Sequence, residues 1–212
     1  MQIVKPNAEI RWITPNILQQ IESAGRTCYK SENNITEDSS KRFIANLIKR
    51  GHESVLEHGV ISVKITCDRG ILAELTRHRI ASYSVESTRY VNYQEGITVI
   101  EPCFWEEDKK NTDTDLDDKY QCWLRTIEFI EQSYKMLIKF GATPEEARTI
   151  LPNSLKTEIV VTTNIRIWRH ILKLRSGQGV HPQFIEIVRL LLKKFNKVLP
   201  EIFGDIIDEQ RT

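Results

Sequence analysis

The sequence is compatible with an α+β chain on three observations. Its strand-like runs are few and short, its helical runs are amphipathic, and it has neither the G-x-G-x-x-G nor the P-loop that would mark a doubly wound dinucleotide-binding sheet. At 212 residues it is long enough for one sizeable core, and a single domain over residues 1–212 is expected. The net charge of +1 argues against a nucleic-acid coat, which needs a broad basic excess, so anion binding must be local and no nucleic-acid partner is expected. Charged residues make up 28% of the chain and no apolar run reaches membrane-spanning length, so a soluble protein without a membrane partner is expected. Cys28, Cys67, Cys103 and Cys122 are widely spaced with no C-x-x-C pair. They are therefore expected as free thiols in a reducing compartment, with no metal. The N-terminus lacks a signal peptide's apolar core, and the expected location is cytoplasmic.

Taken in order, Met1-Gln2-Ile3-Val4-Lys5-Pro6 reads as an opening strand. Thr14 before Pro15 marks a helix start, because Pro at the first helical position gives up an N–H that would lack a partner; Leu18, Ile21 and Ala24 continue the face to about Thr27. Ser39 or Ser40 caps a second helix with Phe43, Ile44, Leu47 and Ile48 inward and Gly51 at its end. The stretch from His52 to His58 is not the zinc motif H-E-x-x-H, since Leu56 stands where the second His is required. Residues 61–66 alternate apolar and polar, as in a half-buried strand of an antiparallel sheet. Asp68-Arg69-Gly70 then turns into a helix with Ile71, Leu72 and Leu75 inward, which delivers Arg77 to Arg79 at its end.

Tyr90-Val91-Asn92-Tyr93 and Ile97-Thr98-Val99-Ile100 read as extended, and the acidic run 106–118 as a solvated loop. A long helix follows over about residues 116–140, with Tyr120, Trp123, Ile127, Ile130, Tyr134 and Leu137 inward and Gly141 at its exit. Thr143-Pro144-Glu145-Glu146 is a capping box opening a short helix that Pro152 stops. Residues 158–163 are rich in β-branched residues and strand-like, and Asn164 caps the next helix. Positions 164, 168, 171 and 175 share a stripe there, so Arg166 points away from Arg175. Ser176-Gly177-Gln178-Gly179 is a flexible loop, and His181-Pro182 opens a final helix that ends before Pro200.

The densest set of anion donors lies in residues 77–90, with three Arg, one His and four Ser or Thr hydroxyls. A guanidinium makes two parallel charge-assisted bonds to one oxyanion and keeps its proton. A basic triplet by itself would be only a solvated helix end that complements the dipole. The whole string resembles the signature of the flavin-dependent thymidylate synthases, R-H-R followed after seven residues by Ser, at Arg77, His78, Arg79 and Ser87. Its longer form is met at Ser82, Ser87 and Arg89, with Ser84 in place of the usual Asn. Val85 stands where many members carry Glu, and Glu86 follows one place later. Three further stretches resemble the family in order: Gly51 to His58, Glu145 to Pro152, and Asn164 to Arg175. Together the matches cover residues 51–183, with a weaker piece near Cys28.

The resemblance implies a mixed, mainly antiparallel sheet flanked by helices, in a homotetramer whose active sites are shared between subunits. It implies reductive methylation of dUMP at C5 to dTMP, with methylenetetrahydrofolate as carbon donor, FAD as hydride carrier and NADPH as reductant. The family's flavin contacts map to Ser54, Arg77, His78, Arg79, Asn164, Arg166 and His170, and its nucleotide contacts to Glu74, Arg77, Ser87, Arg89, Arg148 and Arg175. Arg175 is the expected catalytic residue, stabilising negative charge on the pyrimidine. No cysteine lies in the matched motifs, so none is expected as nucleophile. Glu74 would repel a phosphate and is expected at sugar or base. Ser87 has no triad partner in sequence and reads as a hydrogen-bond donor, and Arg148 would otherwise form a surface pair with Glu145. Two rival functions share these motifs: transfer of another one-carbon group to C5 of a deoxyuridine nucleotide, and non-catalytic binding of nucleotides or nucleic acid.

Overall fold

The computed structural model describes residues 1–105, 108 and 118–206; apart from Asp108 and Asp118, the acidic run expected as a loop lies outside them. The elements are β1 (Gln2–Val4), β2 (Asn7–Ile13), α1 (Ile17–Thr27), α2 (Ser39–Lys49), a 3₁₀ turn (Glu53–His58), β3 (Val60–Asp68), α3 (Arg69–Leu75), β4 (Ser82–Val85) and β5 (Thr98–Ile100). They continue with α4 (Lys119–Lys139), α5 (Pro144–Ala147), a 3₁₀ turn (Arg148–Ile150), β6 (Lys156–Asn164), α6 (Ile165–Ser176), α7 (Pro182–Val198) and α8 (Pro200–Phe203). The residues group into two compact units, one from stretches 1–7, 66–77 and 85–159, the other from 8–65, 78–84 and 160 onward. Each unit draws on several stretches, so no single cut of the chain separates them.

The second unit is built on a four-stranded antiparallel sheet in the order β2-β3-β6-β4. Ile61, Val63 and Ile65 of β3 and Val161 of β6 are fully buried there, as are Trp168, Phe184, Phe195 and Phe203 from the helices. Ser62 on β3 is buried too, which makes β3 a central strand covered on both faces rather than the half-buried strand its alternation suggested. Its hydroxyl accepts from Thr162 at 2.8 Å, and the indole N–H of Trp168 donates to the Ile61 carbonyl at 3.0 Å, so these two buried polar groups are matched. In the first unit β1 and β5 pair in parallel, Gln2 with Thr98 through Val4 with Ile100. Ile127 and Tyr134 of α4 pack there on Tyr93, Ile97, Val99 and Leu155. The mixture of sheet and helix agrees with the expected α+β class.

Several local features differ from the expectation, and at Thr14 and Ser39 the cause is a side chain with a more distant partner. Thr14 does not cap α1: its hydroxyl accepts from the Val60 N–H at 3.0 Å, and the helix begins only at Ile17, after Asn16 at φ 51°. Neither Ser39 nor Ser40 caps α2, because the Ser39 hydroxyl donates to the buried Glu22 carboxylate at 2.8 Å and Asp38 takes the cap position. Asp68 is the N-cap of α3, accepting from the Ile71 N–H at 2.7 Å, so β3 runs straight into the helix without a separate turn. The helix ends at Leu75, short of Arg77. Tyr90 lies in a turn closed on the Ser87 carbonyl instead of an extended run. Strand β2, whose Ala8, Ile10 and Trp12 alternate with polar residues, and strand β4, inside the arginine motif itself, were not anticipated.

Candidate functional site

In the second unit, β6 ends at Asn164, whose side-chain oxygen accepts from the Ile167 N–H at 2.9 Å and starts α6. The helix then turns Arg166 and His170 outward while Trp168 and Arg169 go inward. The 3₁₀ turn after α2 leaves Ser54 exposed. Two adjoining clefts result. One, of about 660 Å³, is lined by Phe43, Arg50, Glu53, Ser54 and Arg166 among others. The other, of about 520 Å³, is lined by Glu53, Glu57, Ile80, Asn164, Arg166, Ile167 and His170. Both are of the size that takes a small-molecule ligand. Arg166, which lines both, reaches the Glu57 carboxylate at 2.5 Å on the surface.

His78 is 8% exposed, and its Nε2 accepts from the Nε–H of Arg175 at 3.2 Å. The Arg175 guanidinium also lies over the Phe184 ring, 4.6 Å from its centroid, and His170 presents its ring edgewise 6.3 Å from that of His78. Burial first, then the charge of Arg175 and then His170 hold the imidazole down at about 4 from its ordinary 6.5. At neutral pH it is therefore an uncharged acceptor, and it grips Arg175 by its Nε edge while Phe184 covers one face. The backbone around His78 is tied as well: the Tyr83 hydroxyl donates to the His78 carbonyl and the Thr163 hydroxyl to the Ile80 carbonyl, both at 2.6 Å. Arg79 is exposed beside them.

Beneath the clefts lies Arg169, fully buried. Its Nε–H donates to Glu53 at 3.1 Å, and its two terminal nitrogens reach the Asp205 carboxylate at 2.6 and 2.7 Å. Burial disfavours the charge, but the bonds and charges of Asp205 and Glu53 outweigh it, so its pKa rises above the ordinary value. Asp205, bonded to Arg169, falls below its own.

The first unit holds Glu74, Arg77, Ser87, Arg89 and Arg148. Arg89 binds Glu145, its Nε 2.9 Å away, so the partner expected for Arg148 is taken by Arg89, and Arg148 is exposed three residues further on. The Ser87 hydroxyl oxygen accepts from the Arg89 N–H at 3.3 Å. The Glu86 carboxylate accepts from the Tyr93 hydroxyl at 2.9 Å and from Lys156 at 3.0 Å. It is committed inside the unit, and Val85, 38% exposed, is the outward residue of that pair.

The flavin candidates other than Arg77 thus fall in one unit, and the nucleotide candidates other than Arg175 in the other. Sequence reasoning missed Glu53, Glu57, Arg169 and Phe184 as residues of the site. The one available signal was Arg169, a charge next to Trp168 on the apolar face of an amphipathic helix. Among the described residues no cluster of His, Cys, Asp and Glu could hold a metal ion, and no helix is long and apolar enough to cross a membrane.

The chain matches the family described as Thymidylate synthase complementing protein over residues 11–201. The flavin-dependent thymidylate synthase of Mycobacterium bovis (strain BCG / Pasteur 1173P2) is 33% identical over 195 residues, 87% of this chain and 78% of that protein. A probable flavin-dependent thymidylate synthase of Mycobacterium phage D29 is 31% identical over 198 residues, 89% of this chain and 83% of that one. Among solved structures, thymidylate synthase X from Helicobacter pylori with FAD and dUMP superposes with a TM-score of 0.72 at 24% identity, covering 95% of this chain and 98% of that one. A UMP/dUMP methylase, PolB from Streptomyces cacaoi bound with 5-Br dUMP, gives 0.78 at 21% identity and covers 96% of each chain. At these identities the two structures speak to the fold.

Proposed function

The chain belongs to the Thymidylate synthase complementing protein family, and we propose that its paired clefts hold the flavin while Arg175 acts on the pyrimidine. It is a flavin-dependent thymidylate synthase by family, methylating dUMP to dTMP, with FAD as the hydride carrier and methylenetetrahydrofolate and NADPH as co-substrates.

The residues present fit a flavin dinucleotide. Arg79 and Arg166 are exposed cations suited to a pyrophosphate, Ser54 offers an exposed hydroxyl, and Asn164 and His170 line the cleft that Arg166 shares. His78, neutral and bonded to Arg175, contributes orientation rather than charge. When bound, FAD supplies the hydride that completes the methyl group. For the nucleotide we assign Glu74, Arg77, Ser87, Arg89 and Arg148, with Arg175 as the catalytic residue.

The observation that carries this reading is the clamp on Arg175. C5 of a uracil is a poor nucleophile until the ring becomes electron-rich, and a fixed positive charge lowers the cost of that change without having to reorganise as it happens. A guanidinium gripped at its Nε by His78 and stacked on Phe184 is such a charge. A thiol alternative has less support: Cys67 is buried and pushed up to about 12, so it stays protonated and non-nucleophilic. The chain acting as one domain, in a cytoplasmic homotetramer with sites shared between subunits, belongs to the same proposal and is supported by the family resemblance.

The purified protein should carry the visible absorbance of bound flavin. Arg79→Ala should weaken FAD binding by about 1.5–3 kcal/mol, the worth of one charge-assisted bond, as measured by titrating the apoprotein. A colourless protein that FAD cannot reconstitute contradicts the assignment.

A further inference from the structure

Arg169 belongs to none of the residues assigned above to flavin or nucleotide, yet it is the most completely buried cation described. It sits on α6 between Arg166 and His170, facing the opposite way. Its fork takes carboxylates from two distant places. Glu53, at the start of the 3₁₀ turn, receives its Nε–H at 3.1 Å, and Asp205, just beyond α8, receives both terminal nitrogens at 2.6 and 2.7 Å. The Ile202 carbonyl accepts a further bond from the same guanidinium. One helical turn along α6, Lys173 lies 3.7 Å from Glu53 and 3.9 Å from Asp205, so two cations and two carboxylates interlock.

We propose that Arg169 is a positioning residue that latches the C-terminal segment at Asp205 to Glu53, and so holds the turn bearing Ser54 in its flavin-binding shape. The proposal rests on the flavin reading of the clefts. Glu53 lines both clefts and immediately precedes Ser54, so any shift of its carboxylate is passed directly to the turn. A guanidinium out of contact with water needs all of its acceptors, because losing one carboxylate leaves a buried charge under-compensated. The turn, α6 and the segment at Asp205 are therefore held in one arrangement or released together. Asp205 controls the clefts without lining either of them.

The test uses Asp205→Asn, which removes a partly exposed charge at constant size, and Arg169→Lys, which keeps the charge and loses the fork. FAD affinity of the apoprotein is measured by flavin fluorescence, and backbone hydrogen exchange is followed without flavin. Each variant should bind FAD about tenfold more weakly, with exchange accelerated in residues 53–58 ahead of the rest of the second unit. The effect of Asp205→Asn on FAD should shrink in a Ser54→Ala background, because both act through one turn. Unchanged FAD affinity overturns the latch. So does uniformly faster exchange with effects that simply multiply, the signature of general destabilisation. Should Arg169→Lys fail to fold, Asp205→Asn decides by the same measurements. A wild-type protein that binds no FAD overturns the flavin reading instead, and exchange in residues 53–58 then judges the latch by itself.

Discussion

His78 is where environment changes chemistry most visibly at a single residue. Burial, Arg175 and His170 keep its folded-state pKa near about 4, against an ordinary 6.5. Because the folded value is the lower one, the neutral ring favours the folded state above about 6.5, and that contribution is lost as pH falls toward 4. Denaturant unfolding of the apoprotein should therefore show stability falling from pH 7 to pH 5, and His78→Gln should flatten that part of the profile; an unchanged slope would show that the ring titrates normally. Glu22 and Glu86 make a different point. Neither was singled out for its carboxylate partners in the sequence, yet each holds a network: Glu22 takes Ser39 and Arg26, and Glu86 takes Tyr93 and Lys156. Apart from the local pair of Glu22 with Arg26, one helical turn apart, such pairings were illegible because nothing local in the chain specifies them.

At the scale of the element, caps that close on themselves were readable, and caps with distant competitors were not. Thr143 and Glu146 satisfy each other within one turn, as the spacing alone predicts. Thr14 and Ser39 have the same capping chemistry, but their partners lie 46 and 17 residues away, and those bonds displace the cap. The motif 77–90 reads as ligand chemistry, which hid that its residues 82–85 form strand β4, an edge paired with β6 far along the chain. Asp68 matters more than its place in an expected turn suggested. Asp68→Ala should cost about 1 kcal/mol by removing the cap of α3. Thermal unfolding measures this, and FAD affinity should stay near wild type because the Asp68 carboxylate accepts the Ile71 N–H at the start of α3 and Asp68 is not among the residues assigned to the flavin. A loss of flavin with no loss of stability would place Asp68 in the site instead.

For the whole molecule, the candidate residues could be named from the sequence because they lie in stretches of fixed spacing that resemble the family's motifs, whereas the positions of Arg169, Phe184 and Glu53 follow from packing. In the proposed shared-site tetramer, the segment from Ser87 to Arg89 serves a neighbouring subunit's site. Inactive Arg89→Ala and inactive Arg175→Ala proteins, mixed under subunit exchange, should then regain part of the activity in hybrid assemblies; no recovery after demonstrated exchange would place each site within one chain. The central claim is that Arg175, gripped by His78 and Phe184, stabilises charge growing on the pyrimidine. Its most direct test is release of tritium from C5 of dUMP with methylenetetrahydrofolate, FAD and NADPH, in wild type and Arg175→Ala. Wild type should release tritium to water and yield dTMP by mass, and Arg175→Ala should lose far more in kcat than in dUMP affinity. An Arg175→Ala protein that keeps its kcat and loses only affinity would contradict the account, as would a wild type that binds FAD and dUMP and releases no tritium.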